Sequence, residues 1–228
     1  MPFTVPELAK LCEAVYYKDL QKRRKWVAPG VSERVFDDGT IDTLTASGTG
    51  FHGGCFIKDD QAAIVFGGTN AKSGKDLAAD IGMVCGKIPE QAKRAADLVQ
   101  VYGGWAQSQD GVQSFILAGH SLGGALTQLV ATAQSLPFVT FNAYGTAKLA
   151  KDGSSAIGQV AKWGADSAQG INVRDDKDPV SWMSKHIGKV VDVAFGSSVA
   201  GAHSMGALAE NLEKKYAGAL PFIDEPFN

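Results

Sequence analysis

The sequence has little of what would let a chain fold or bind by a shortcut. Only three of its 228 residues are cysteines, Cys12, Cys55 and Cys85. An odd number without metal-ligand spacing excludes a disulfide framework and leaves them as buried small apolar groups or free thiols. None sits at a strand-to-helix turn, so none is a candidate nucleophile. No stretch approaches the ~20 apolar residues of a membrane-spanning helix. The opening Met1-Pro2-Phe3-Thr4-Val5-Pro6-Glu7 lacks the basic start and apolar run of a signal peptide. The expectation is a protein made without a signal peptide, either cytoplasmic or exported by a route that leaves no N-terminal mark. Excess charge is missing too: 22 basic against 24 acidic residues give a net charge of −2, and with it no electrostatic case for nucleic acid. The run Lys22-Arg23-Arg24-Lys25 reads as a solvated turn or helix end rather than a membrane or nucleic-acid patch.

What is present is an ordinary globular composition, 45% hydrophobic and 20% charged. A chain of this size buries about 70% of its unfolded surface around one core. No repeat, low-complexity segment or linker interrupts it, so residues 1–228 are expected to form a single domain.

Thr4, Pro6 and Glu7 form a helix-start signature, followed by Leu8, Leu11, Cys12 and Val15 on one face. Phe51 to Ile57 and Gln61 to Phe66 are apolar strand-like runs joined by the turn Lys58-Asp59-Asp60. Downstream, strands and helices alternate. Helices are expected over Pro89 to Gln107, Leu122 to Ser135, Ser154 to Ser167 and Ser204 to Tyr216. Strands are expected over Ser114 to Gly119, Pro137 to Phe141, Ile171 to Arg174 and Ile187 to Phe195. This alternation predicts an α/β fold with a mostly parallel central sheet flanked by helices. The tail from Ala217, with Leu220, Phe222, Ile223 and Phe227, is expected to lie against the domain or line a substrate groove.

Gly119-His120-Ser121-Leu122-Gly123 fits G-x-S-x-G. Chance supplies about 0.2 such matches in a chain this rich in glycine, so the pattern alone is weak. Its flanks raise it, because Phe115-Ile116-Leu117-Ala118 reads as a buried strand and Ala125 to Val130 as a helix. That is the strand–turn–helix of a nucleophile elbow, with Ser121 on the strained turn. A serine hydroxyl needs a histidine to take its proton and a carboxylate to orient that histidine, in the chain order Ser, acid, His. Downstream of Ser121 stand only His186 and His203. His203, in a small-residue loop opening the last helix, is the favoured base. His186 enters a strand and suits a structural hydrogen bond. His52 precedes the serine, and His120 is expected to point away from it. Asp175, Asp176 and Asp178 follow the strand ending at Arg174; spacing does not separate the three, and Asp178 in Asp178-Pro179-Val180 is chosen.

Acyl transfer needs preorganised donors for the oxyanion. The backbone N–H of Leu122 is one candidate, and Thr69, after Phe66-Gly67-Gly68, is the other. Leu77, Ile81 and Val84 share a helical face within residues 70–84, a short segment that reads as a lid or a plain surface helix.

In this order the motifs resemble those of the class 3 lipases. Gly119-His120-Ser121-Leu122-Gly123-Gly124-Ala125-Leu126 is similar to that family's elbow, and Phe66-Gly67-Gly68-Thr69 to its Phe-Arg-Gly-Ser/Thr oxyanion motif. Asp76-Leu77-Ala78-Ala79-Asp80-Ile81 resembles its Asp-Trp-x-x-Asp-Leu, and Val139-Thr140-Phe141-Asn142-Ala143-Tyr144-Gly145 its Thr-Phe-Gly-x-Pro segment. Asp178-Pro179-Val180 and Ala202-His203-Ser204-Met205 match its acid and histidine segments, while His186-Ile187-Gly188 resembles a histidine-glycine strand that is not catalytic there. Gly67 and Leu77 stand where the family has Arg and an aromatic, the proline after Phe141 is missing, and no His-x-Gly-Phe occurs around Gly86-Lys87-Ile88.

The resemblance implies an α/β-hydrolase with lipase, esterase or phospholipase A activity on a lipid or other ester substrate, without metal or organic cofactor. It implies a Ser121, Asp178, His203 triad and transient contact with a lipid surface. A secreted effector of this kind would be matched by a specific inhibitor or immunity partner. The competing expectations are a catalytically silent member of the fold that binds lipid or a partner, and a hydrolase of another acyl bond.

Overall fold

The computed structural model describes residues 2–34, 52–68, 88–109, 111–152, 161, 168–195 and 198–216. In chain order the elements are α1 (Val5–Ala14), α2 (Leu20–Arg24), β1 (Ser32–Glu33), β2 (His52–Lys58), β3 (Gln61–Gly67), α3 (Ile88–Gln107), β4 (Ser114–His120), α4 (Leu122–Gln134), β5 (Phe138–Phe141), α5 (Ala147–Asp152), β6 (Gly170–Asp175), β7 (Lys189–Val193), α6 (Val199–Ala202) and α7 (Met205–Tyr216).

The seven strands form one sheet in sequential order, β1 to β7. β1, β2 and β3 pair antiparallel, and every pair from β3 to β7 is parallel. Sequential order in a parallel sheet has a consequence for the layers. Right-handed crossovers that always step the same way deposit their helices on one face. The alternation of side chains along each strand records this. Ala62, Ile64 and Phe66 of β3 and Leu117 of β4 face α3 and α4, where they meet Val99, Tyr102, Leu126 and Leu129. Ala63 and Val65 of β3, Ile116 and Ala118 of β4, and Val139 and Phe141 of β5 face the opposite side. Among the described residues, that second face is covered by the two ends of the chain. There α1 brings Leu8, Leu11 and Val15, and α7 brings Met205, Leu208 and Leu212.

Local sequence sets these pieces. Thr4 and Glu7 complete a capping box at the start of α1. Lys58 Nζ reaches Glu7 at 2.7 Å and ties α1 to the β2–β3 hairpin, whose turn passes through Asp59 at φ +51°.

The structure departs from the sequence reading in three places. The basic run is helical as α2, but Arg23 is fully buried rather than solvated. It pairs with Glu33 at 2.6 Å and lies over the Phe56 ring. Burial pushes the Glu33 carboxyl up to about 7 against the pull of Arg23. The last strand is shorter than expected, because Gly188 takes φ +83° before it. The short helix α5 was not expected, and most of the helix expected over Ser154 to Ser167 lies outside the described residues, as do Cys85, the segment 70–84 and the tail from Ala217. Cys12 and Cys55 are buried.

Candidate active site

The carboxyl ends of β3, β4, β6 and β7 carry the chain segments in which sequence reasoning placed the site, the usual location in an open α/β sheet. β4 ends at His120 and α4 begins at Leu122, so the whole reversal falls on Ser121. Its backbone sits at φ +56°, ψ −124°, a strained conformation for a residue with a side chain. Hydrogen bonds hold it there: Ser121 N–H donates to Phe141 O at 3.1 Å, and Ser121 O accepts from Ala125 N at 3.1 Å. Glycine is required at Gly123, where a methyl group would collide with the Phe66 carbonyl. Gly68 is tight to a lesser degree. A methyl there would stand 3.0 Å from the Leu122 nitrogen and 3.1 Å from Ser121 Cβ, so the end of β3 passes directly over the elbow.

Ser121 Oγ lies 2.9 Å from His203 Nε2, and His203 Nδ1 lies 2.8 Å from Asp178 Oδ1. His203 follows α6 and precedes α7. Asp178 closes a turn three residues after β6. It is fully buried, and its carboxylate accepts the N–H groups of Val180 at 3.3 Å and Ser181 at 3.0 Å. Burial pushes this carboxyl up, but the hydrogen bonds from His203 and Ser181 outweigh it and hold the group below its ordinary range. A base whose second nitrogen is fixed by a charged acceptor presents the free lone pair of Nε2 to the serine hydroxyl.

The other candidates fall elsewhere. Asp175 is buried and accepts Lys177 N–H at 3.0 Å in the turn, while Asp176 is exposed. His186 is held by Gln128 Nε2 at 3.3 Å and by the Ser181 carbonyl at 2.9 Å, the structural role expected for it. Leu122, buried at the first position of α4, has its N–H beside the elbow. Thr69, the second candidate oxyanion donor, lies outside the described residues.

Two residues escaped sequence reasoning. Asn142, directly after β5 at φ +43°, donates from Nδ2 to Ala202 O at 2.6 Å and accepts Asp175 N–H on Oδ1 at 2.8 Å. It therefore fastens the segment bearing His203 to the strand leading to Asp178. Its sequence signal was slight: an asparagine at the position where the resembled family motif carries glycine, both tolerant of left-handed backbone. Tyr16 is the other. It lies just beyond α1, some 100 residues before the elbow, and its hydroxyl lies 2.8 Å from His120 Nδ1. His120 bonds Tyr16 and the His203 backbone rather than the serine hydroxyl.

A mostly parallel sheet that lifts a serine on a strand-to-helix turn, beside a histidine and a buried carboxylate, is the architecture of the α/β-hydrolase fold. The fold matches the crystal structure of a mutant form of MDLA from Penicillium cyclopium, with a TM-score of 0.51 at 14% identity, over 85% of this chain and 82% of that one. A lipase from Rhizopus microsporus var. chinensis aligns with a TM-score of 0.46 at 16% identity, over 84% of this chain and 73% of that one. Residues 7–220 match the phospholipase-like family described as the Tle-like phospholipase domain, and the chain belongs to that family. It is also similar to the extracellular phospholipase A1 of Serratia liquefaciens, 32% identical over 103 residues, 45% of this chain and 30% of that protein. The match therefore spans less than a third of the relative's length.

Proposed function

We propose that the protein hydrolyses carboxylic ester bonds of lipids, phospholipid acyl esters above all, through an acyl-enzyme on Ser121. The observation that carries this reading is the unbroken contact chain from Ser121 Oγ through His203 to the buried Asp178. In the reading, His203 Nε2 takes the hydroxyl proton as Ser121 Oγ bonds to the ester carbonyl carbon. The oxyanion is held by the Leu122 N–H and by Thr69. Collapse breaks the bond to the alcohol, which leaves with the proton from His203. Water then attacks the acyl-enzyme by the same route and regenerates the serine.

Phospholipid as substrate is supported by the family and by the phospholipase A1 relative. Contact with a lipid surface is supported by the loop after Asp178. Trp182 and Met183 are 55% and 44% exposed, and the Arg174 guanidinium stacks on the indole at 3.6 Å. Lys177 and Lys185 are exposed in the same loop. An apolar tip among cations suits an interface of acyl chains and phosphates.

The test is incubation with phosphatidylcholine vesicles and mass analysis of products. The expected result is stoichiometric fatty acid and lysophospholipid. Intact lipid alongside hydrolysis of a thioester or amide would move the activity to another acyl bond, and inertness toward every acyl substrate would leave a binding protein.

A further inference from the structure

A second hydrogen-bonded chain runs behind the first and ends on the same histidine. Gly68 N–H donates to Tyr16 Oη at 2.8 Å. The Tyr16 hydroxyl donates to His120 Nδ1, also at 2.8 Å, because the His203 carbonyl that faces the other ring nitrogen can only accept and so leaves Nδ1 as the unprotonated one. His120 must then carry its proton on Nε2, which donates to the backbone carbonyl of His203 at 3.0 Å. On the preceding peptide, Asn142 Nδ2 donates to Ala202 O at 2.6 Å. Two consecutive carbonyls of the segment bearing His203 are thus gripped by two buried side chains. The assignment of the Asn142 amide follows from its partners, since its other atom accepts Asp175 N–H.

We infer that His120 and Asn142 are positioning residues that set His203 against Ser121, and that Tyr16 fixes the His120 tautomer on which this grip depends. The inference rests on the reading of Ser121 and His203 as nucleophile and base. Every group in the chain is matched donor to acceptor, so only one proton arrangement satisfies all of them. The His120 and His203 rings stand 4.8 Å apart. A cation at His120 would oppose the charge that His203 acquires when it takes the serine proton. Burial, with His203 beside it, keeps His120 neutral. The first link of the chain also holds the end of β3 immediately before Thr69. Gly67 makes room for this arrangement: a methyl there would stand 3.1 Å from Val15 Cγ2 and 3.5 Å from the Tyr16 ring.

The test is steady-state kinetics of Tyr16→Phe, His120→Phe, His120→Gln and Asn142→Gly on a soluble ester, with thermal midpoints and imidazole nitrogen NMR of the parent. Tyr16→Phe, His120→Phe and Asn142→Gly are expected to lower kcat about 10- to 100-fold with KM within twofold, as for a slightly misplaced base. His120→Gln, which keeps a donor near the Nε2 position, is expected to recover most of the loss. In the parent, His120 should show one tautomer, protonated on Nε2. Folded variants with kcat within threefold of the parent, or losses confined to KM, would overturn the inference. If the variants do not fold, a parent spectrum with the His120 proton on Nδ1 overturns it on its own. Failure of the underlying reading looks different: the unmutated protein would itself hydrolyse no ester.

Discussion

His120 and Ser121 are neighbours in sequence, yet they meet His203 from opposite ends. Ser121 Oγ approaches the ring Nε2 at 2.9 Å, while His120 Nε2 grips the backbone carbonyl at 3.0 Å. The strained turn at Ser121 makes this possible, because it swings two consecutive side chains to different sides of one loop.

The two downstream histidines are expected to separate cleanly on substitution. His203→Ala should lower kcat by roughly three orders of magnitude or more with little change in thermal midpoint. His186→Ala should leave kcat within a few-fold and lower stability, since it removes the partner of the Ser181 carbonyl. Exchanged phenotypes would transfer the role of base to His186.

Asp178→Asn is expected to cost about 10⁴ in kcat, because an amide that donates to Nδ1 leaves the imidazole in the wrong tautomer. Asp175→Asn should cost far less, as its carboxylate serves the turn. A larger loss at Asp175 would place the acid there.

The share of stability that depends on His120 should fall as pH drops below 6.5, opposite in sign to the share of Glu33, whose carboxyl is raised to about 7. Burial, with His203 beside it, pushes His120 down from 6.5 to about 3. Between those values the unfolded chain binds a proton that the folded protein refuses, so this share falls as pH drops from 6.5 toward 3. The slope from one such group is at most ~1.4 kcal/mol per pH unit. Tyr16, His203 and Asp178 face this imidazole, and none of them lifts it into the working range. His52 and His186 are also lowered by burial and act in the same direction. Denaturant titrations of the parent and His120→Gln at pH 6.5 and 4.5 isolate its share. Equal pH dependence in both would show that His120 already carries charge.

Removing the exposed side chains of the acid loop should uncouple interface from chemistry. Trp182→Ala with Met183→Ser is expected to reduce binding and turnover on anionic vesicles several-fold, at ~25 cal/mol per Å² of apolar area. Turnover of a soluble ester should be unchanged. Equal losses on both substrates would assign the pair to the catalytic fold and remove it as a lipid contact.

The legible parts of this molecule were those with short-range signals. The elbow announced itself through glycines flanking Ser121 between an apolar strand and a helix, and the parallel sheet through the alternation after residue 60. The carboxylate that meets His203 was only partly legible, since Asp175, Asp176 and Asp178 share one turn and their burial depends on the tertiary fold. Arg23 was misread because a basic run looks solvated until a distant Glu33 supplies its counter-charge. Tyr16 and Asn142 were invisible for a similar reason. Their partners, Gly68, His120 and Ala202, lie 52, 104 and 60 residues away in sequence.

Covalent labelling of Ser121 is the most direct test of the central claim. The protein is treated with a fluorophosphonate, digested, and the modified peptide sequenced by mass spectrometry, with phospholipid hydrolysis followed in parallel. A single adduct on Ser121 is expected, with hydrolysis lost in proportion to labelling, and Ser121→Ala should take up no probe and lose about four to six orders of magnitude in kcat while keeping its fold. An adduct on another residue, or a folded Ser121→Ala protein with activity within tenfold of the parent, would contradict it.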